Sequence, residues 1–274
     1  MDMMIETMRR ARCLAAGALL ALSVHVLAWA APPDPAASST NVAAHDKLAA
    51  ELAPRKSLAL DLARRAGMDK AFEFADAKPW PGQAGRVIAA YASAHDDGDE
   101  AEIGTVHYDL DVRVFDRASA AVLQSYTRER AIVSDTVQLA GLSIDTANYA
   151  IKSGVRAFGV RAFISRETCA YYENESLELF EVRGAQLRNV FSDTEVRWKM
   201  FTCTGGGGAA ITHTLAIAAS SSHGYQDLRV SELQEQTSAT CAFLPCADTA
   251  VRRTHLLRFD GNAYPPVPVP PRSR

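Results

Sequence analysis

The strictest constraint in this chain is the run 105–114, where polar and apolar side chains alternate without a break. Val106, Tyr108, Leu110, Val112 and Val114 share one side, and Thr105, His107, Asp109, Asp111 and Arg113 share the other. A period of two marks a half-buried β-strand, because successive side chains of a strand point to opposite faces. A helix would scatter the same apolar residues around its circumference. The expectation is an apolar face against the core, with Asp109, Asp111 and Arg113 toward water.

Weaker strand patterns follow at 122–129, 149–151, 158–164, 176–182, 186–191, 196–200, 211–219 and 250–259. Helix-period signal is nearly absent after residue 85. The segment 87–93 reads as a strand because a polar, Gly-containing loop joins it to 105–114 as a hairpin. Arg183-Gly184-Ala185 reads as a three-residue turn, with Gly free to take positive φ. The fold class is therefore mainly β: an antiparallel sandwich, or a barrel-like or propeller-like β-domain, over residues 83–264. A short helical segment precedes it within 45–82. There Leu48, Leu52, Leu58 and Leu62 recur at near-helical spacing, Pro54 interrupts them, and Lys78-Pro79-Trp80-Pro81-Gly82 makes a rigid turn. Residues 31–44 form a flexible leader, and the Pro-rich tail 265–274 forms a solvated, polyproline-like terminus.

Residues 1–30 read as a secretory signal peptide. Arg9, Arg10 and Arg12 precede an apolar run from Cys13, and Ala28-Trp29-Ala30 offers small residues at the cleavage site. The expected location is periplasmic or secreted, with no stable membrane span after cleavage. Lys+Arg 29 against Asp+Glu 32 gives a net charge of −3, which argues against a nucleic-acid partner. Export favours disulfides among Cys169, Cys203, Cys241 and Cys246. Cys241 and Cys246 close a short loop containing Pro245, which leaves Cys169 for Cys203. Zinc is the competing use, but the C-x4-C pair has no matching second half.

The segment His223-Gly224-Tyr225-Gln226-Asp227-Leu228, followed by Phe259-Asp260-Gly261-Asn262-Ala263-Tyr264, carries a resemblance. It resembles the closing strands of uncharacterised secreted bacterial β-rich proteins, where a GYxDL strand precedes an FDGxxY hairpin. It is also similar to a degraded blade of the FG-GAP type of β-propeller repeat. The resemblance covers about 45 residues and implies β-structure and export, without an activity. In the full repeat an acidic loop before the DL strand holds calcium; here that loop, 219–224, has no carboxylate.

Few residues point to chemistry. Asp96, Asp97, Asp99, Glu100 and Glu102 crowd one loop and could supply oxygens to a hard cation, though they miss the EF-hand register. A solvated hairpin tip is the plainer reading. The run Gly205–Gly208 lacks the Lys-Ser/Thr of a phosphate-binding loop and reads as a connector. No G-x-S-x-G or H-E-x-x-H is present. His107, His213 and His255 fall on strands, where a hydrogen-bonded or solvent-facing His is the default. His223, with Tyr225 and Asp227, stands at a loop–strand junction and is the candidate binding group. The chain thus reads as an exported binding module for an envelope protein, a polymer or a small ligand, needing no cofactor and showing no catalytic motif. A secreted hydrolase with a loop-assembled site and a calcium-stabilised structural module are the alternatives.

Overall fold

A computed structural model describes residues 52–98, 104–135, 137–167, 171–201, 207–237 and 249–268. Residues 1–51, Asp99, Glu100, Glu102, Cys169, Cys203, Cys241 and Cys246 lie outside the described residues, and with them the expected signal peptide, leader and disulfides. Residues 52–65 form a helix, α1, that includes Pro54. The part of the expected helical segment before it, with Leu48, lies outside the described residues. Gly67 ends the helix at φ 69°, its N–H bonding Arg64 O while Met68 N–H bonds Ala63 O. That pair of bonds is the Schellman arrangement, which glycine adopts without strain.

Among the described residues eleven strands follow, all antiparallel and each paired with its sequence neighbour, except that β4 and β5 belong to different sheets. Sheet A contains β1 (Phe74–Pro79), β2 (Arg86–Ala94), β3 (Thr105–Asp116) and β4 (Val122–Asp135). Sheet B contains β5 (Gln138–Lys152), β6 (Val155–Glu167), β7 (Tyr171–Arg183), β8 (Gln186–Phe201), β9 (Gly208–Ser222), β10 (Tyr225–Thr237) and β11 (Thr249–Leu257). The sequence reading places 45–82 in helix and turn, yet Phe74–Pro79 is a strand paired with β2. It also divides β8 in two. The strand is continuous, and register irregularities opposite β7 break the alternation that the pattern search relies on. The turn after β7 is shorter than expected, with β8 beginning at Gln186 and Gly184 at φ 64°.

The first core lies between the sheets. Ile88, Ala90 and Ala92 of β2 and Tyr108, Leu110, Val112 and Val114 of β3 meet Leu142, Ile144, Phe158, Val160 and Phe180 of sheet B. Each large aliphatic chain buried there contributes about 1.5–3 kcal/mol. Two buried polar contacts also join the sheets: Asp76 of β1 accepts Ile144 N–H at 2.6 Å, and Lys78 Nζ donates to Ile144 O at 2.6 Å. On the outer face of sheet A, Ala59, Leu62 and Ala63 of α1 pack on Ala77, Val87, Ala89, Tyr91 and Phe115. Strand β2 is covered on both sides, which is why its sequence runs apolar instead of alternating.

A second core occupies the other face of sheet B. Tyr149 and Ile151 of β5 cluster with Tyr225, Leu228 and Val230 of β10, five strands away in the sheet order. That contact requires the sheet to curl over itself. The pairing explains how: β9 follows β8 only from Arg197↔Thr212 to Phe201↔Gly208. Gly159 sits inside this core, where a Cβ would stand 2.6 Å from Leu177 Cδ1. Strands β5 and β11 remain edges, so the molecule is a layered sandwich and not a closed barrel. The tail contributes as well. Val267 is buried in the second core beside Tyr264, which corrects the expectation of a solvated terminus at that position. Among the described residues no helix is long and apolar enough to cross a membrane.

Candidate functional site

Strand β3 departs from its expected orientation on one side. Tyr108, Leu110, Val112 and Val114 enter the core, but Val106 is 40% exposed. Asp109 and Asp111, expected toward water, are only 7% and 9% exposed. The physical reason is the cover. Helix α1 lies over the outer face of sheet A, and Lys70, in the chain just beyond it, reaches Asp109.

This face carries a linked set of titratable side chains. Tyr91 pairs with Asp111 and Ser93 with Asp109 across β2 and β3, and His95 N–H donates to His107 O at 2.8 Å. Residues opposite one another in a ladder share a face, so His95, His107 and Asp109 lie together. Asp109 accepts from His95 Nδ1 at 2.6 Å, from Lys70 Nζ at 3.2 Å and from Arg130 N–H at 3.1 Å. Burial alone would raise its carboxyl pKa. The Arg130 N–H, His95 and Lys70 outweigh that and hold it below the ordinary carboxylate range.

Arg130 reaches Asp109 because β4 is irregular opposite Tyr108 and Leu110, and Arg130 takes the left-handed φ of 48°. Non-glycine residues hold that conformation only where surrounding contacts over-determine it. The same side chain forms an ion pair with Asp97 at 2.7 Å, and Asp97 accepts from His107 Nδ1 at 2.8 Å. The His107 bond, with help from Arg130, lowers the Asp97 pKa. The two histidines therefore present the same device: Nδ1 donates to an aspartate, which only accepts, so the proton sits on Nδ1. A cleft of about 340 Å³ lies between the 66–72 segment, whose Lys70 also reaches Asp109, and Asp111, Arg113 and Thr127. Arg113 grips Asp111 through two bonds, 2.9 and 2.8 Å.

The residues singled out in the sequence divide among three situations. Of the acidic loop, Asp96 accepts Gly98 N–H at 3.1 Å, and Asp97 is engaged by Arg130 and by His107, an arrangement that competes with calcium. His223, Tyr225 and Asp227 lie on the β9–β10 hairpin, Tyr225 and Asp227 with separate partners. His223 (φ 51°) and Gly224 (φ 79°) form its two-residue turn, which needs positive φ at both positions. Tyr225 stacks on Phe259 at 4.0 Å and donates to Glu181, which together with burial raises its pKa. Asp227 is 2% exposed and accepts from Ser220 Oγ at 2.7 Å. Asp260 accepts the N–H groups of Asn262 and Ala263, and Tyr264 donates to Gln226 O at 2.6 Å. The GYxDL and FDGxxY segments thus close the second core.

His95, Asp109, Lys70 and Arg130 are absent from the sequence-derived candidates. Their one legible signal is the spacing His107-x-Asp109-x-Asp111-x-Arg113, four titratable side chains on one face of one strand. Among the described residues, no three His, Cys, Asp or Glu side chains are grouped to hold a metal ion. No protein-family model, no curated protein and no solved structure matches the chain.

Proposed function

We propose that this chain is an exported binding module of the cell envelope, and that its working surface is the outer face of sheet A. The observation carrying this reading is the cleft beside α1. Asp111, Arg113, Lys70 and Thr127 supply both donors and acceptors there, and Met68 and Phe72 supply apolar wall. Mixed donors and acceptors beside an apolar wall suit a hydroxyl-rich polymer, which needs directional hydrogen bonds and a flat surface for its ring faces. The ligand class is therefore an envelope glycan. The apolar run ending in Ala28-Trp29-Ala30 supports a periplasmic or secreted location. Retention of the purified protein on insoluble envelope polysaccharide tests the reading. Arg113→Ala should weaken retention by about tenfold or more, the loss of one charge-assisted pair. Equal retention of both proteins, or none by either, would discard it.

A second reading rests on the histidines. An imidazole held through Nδ1 by a carboxylate is oriented as a general base is, as a hydrolase would require. Turnover of ester or glycoside substrates that is lost in His95→Ala and in His107→Ala would establish it.

A further inference from the structure

We propose that His95 and His107 form a two-imidazole binding site for a borderline divalent cation, Zn²⁺ or Cu²⁺, at the end of the outer face of sheet A. The inference stands on the imidazole pair alone and does not require the neighbouring cleft to hold a ligand.

Three observations carry it. The two residues are direct cross-strand neighbours, joined by the His95 N–H to His107 O bond of 2.8 Å. Opposed residues of a ladder hold their Cβ atoms about 4.5–5.5 Å apart, within reach of a common ion. Secondly, each Nδ1 is already bound, to Asp109 at 2.6 Å and to Asp97 at 2.8 Å. The carboxylates fix the tautomer and leave the lone pair on Nε2, and an outer carboxylate also makes that nitrogen a better donor. Thirdly, both side chains are about one-fifth exposed, and among the described residues neither Nε2 makes a hydrogen bond or ion pair. Two imidazoles on paired strands, each oriented through Nδ1 and partly sheltered, are the usual equipment of a zinc or copper ligand pair.

The surrounding charges decide which ion fits. Asp97 and Asp109 are balanced by Arg130 and Lys70, so the frame is close to neutral and its carboxylate oxygens are engaged. Calcium and magnesium, which need several free oxygens, are disfavoured. Zn²⁺ and Cu²⁺ accept imidazole nitrogen and keep their remaining positions for water or an incoming group. Two protein ligands imply micromolar binding, weaker than a closed structural site.

The test is titration of the purified, chelator-treated chain with Zn²⁺ by calorimetry, paired with electron paramagnetic resonance of the Cu²⁺ form. One equivalent of Zn²⁺ should bind, and Ca²⁺ under the same conditions should not. The Cu²⁺ spectrum should show hyperfine coupling to two equivalent imidazole nitrogens. His95→Ala and His107→Ala should each weaken Zn²⁺ binding by about tenfold or more, the range set by losing part of a metal's support. The spectrum of the unmutated protein answers the question even where a variant fails to fold. Absence of binding, a spectrum lacking two imidazole nitrogens, or unchanged Zn²⁺ affinity in both folded variants would overturn the proposal.

Discussion

Two regions of this protein bury a carboxylate among histidines and use it differently. On sheet A, Asp109 holds His95, and Asp97 holds His107, each through Nδ1 alone. On sheet B, Glu232 of β10 holds His213 Nε2 and His255 Nε2, each at 3.3 Å, and Arg253 at 2.6 Å. His213 also donates from Nδ1 to Glu195 O at 2.6 Å. Both of its nitrogens face acceptors. That contact sits just where β9 stops pairing with β8, so His213 satisfies a carbonyl that the ladder leaves open. The difference teaches how identical residue types separate into structure and site. His213, with both nitrogens engaged, is a fastener, whereas His95 and His107, each held through Nδ1 alone, keep Nε2 for a ligand.

The sharpest way to break this contrast is Glu232→Ala. The Glu232 side chain is 0% exposed, and removing it strands Arg253 and His213 beside an empty position. The expected loss is about 2–4 kcal/mol, below the full cost of breaking a buried pair because Arg253 is 42% exposed and can return to water while His213 cannot. Urea unfolding measures it, and a loss below that of a surface substitution would mean that the fold-over of β9–β11 does not depend on this cluster.

Asp109→Ala should cost less, about 1–3 kcal/mol, because its partners include Lys70, whose side chain is 60% exposed and can return to water. From alternation alone a near-neutral effect is expected, since Asp109 falls on the polar side of its strand. A measured change under about 0.5 kcal/mol would restore that surface reading and remove the outer face of sheet A from consideration.

The smallest effect is a pH dependence. Burial would raise the Glu232 pKa, yet Arg253, His213 and His255 together hold it below the usual carboxylate value. A lowered folded pKa means that the unfolded chain binds the proton more readily. The contribution is complete above the ordinary glutamate pKa of about 4.3 and is lost as pH falls through the folded value. Stability of the unmutated protein should therefore drop more steeply between about pH 5 and pH 3 than that of Glu232→Gln. Parallel slopes for the two proteins would show that Glu232 titrates alike in the folded and unfolded chain, so that its partners do not hold its pKa down.

Much of the architecture was open to reading because it is local. The alternation of β3, the hairpin it forms with β2, and the turn at His223-Gly224 depend on residues close in the chain, and each takes the form that its own side chains prefer. The failures share one cause. A period of two reports which residues share a face, but not what covers that face. Asp109 and Asp111 read as solvent-facing until α1 and the chain following it are laid over them from earlier in the sequence. β2 hides its period because both of its faces are covered, and β8 hides its length where irregular pairing shifts the alternation.

The candidate site was less legible still. His95 and His107 stand on either side of a loop whose length does not set the hairpin register, so nothing local says that they oppose one another. Arg130 joins them only through its left-handed backbone, and Lys70 arrives from beyond α1. Local residue order therefore determined the strands and the helix end, through side-chain alternation and turn stereochemistry. Which carboxylates are buried, and which histidines retain a free nitrogen, depends on contacts between segments far apart in the chain and was settled only by the packing of sheets and helix.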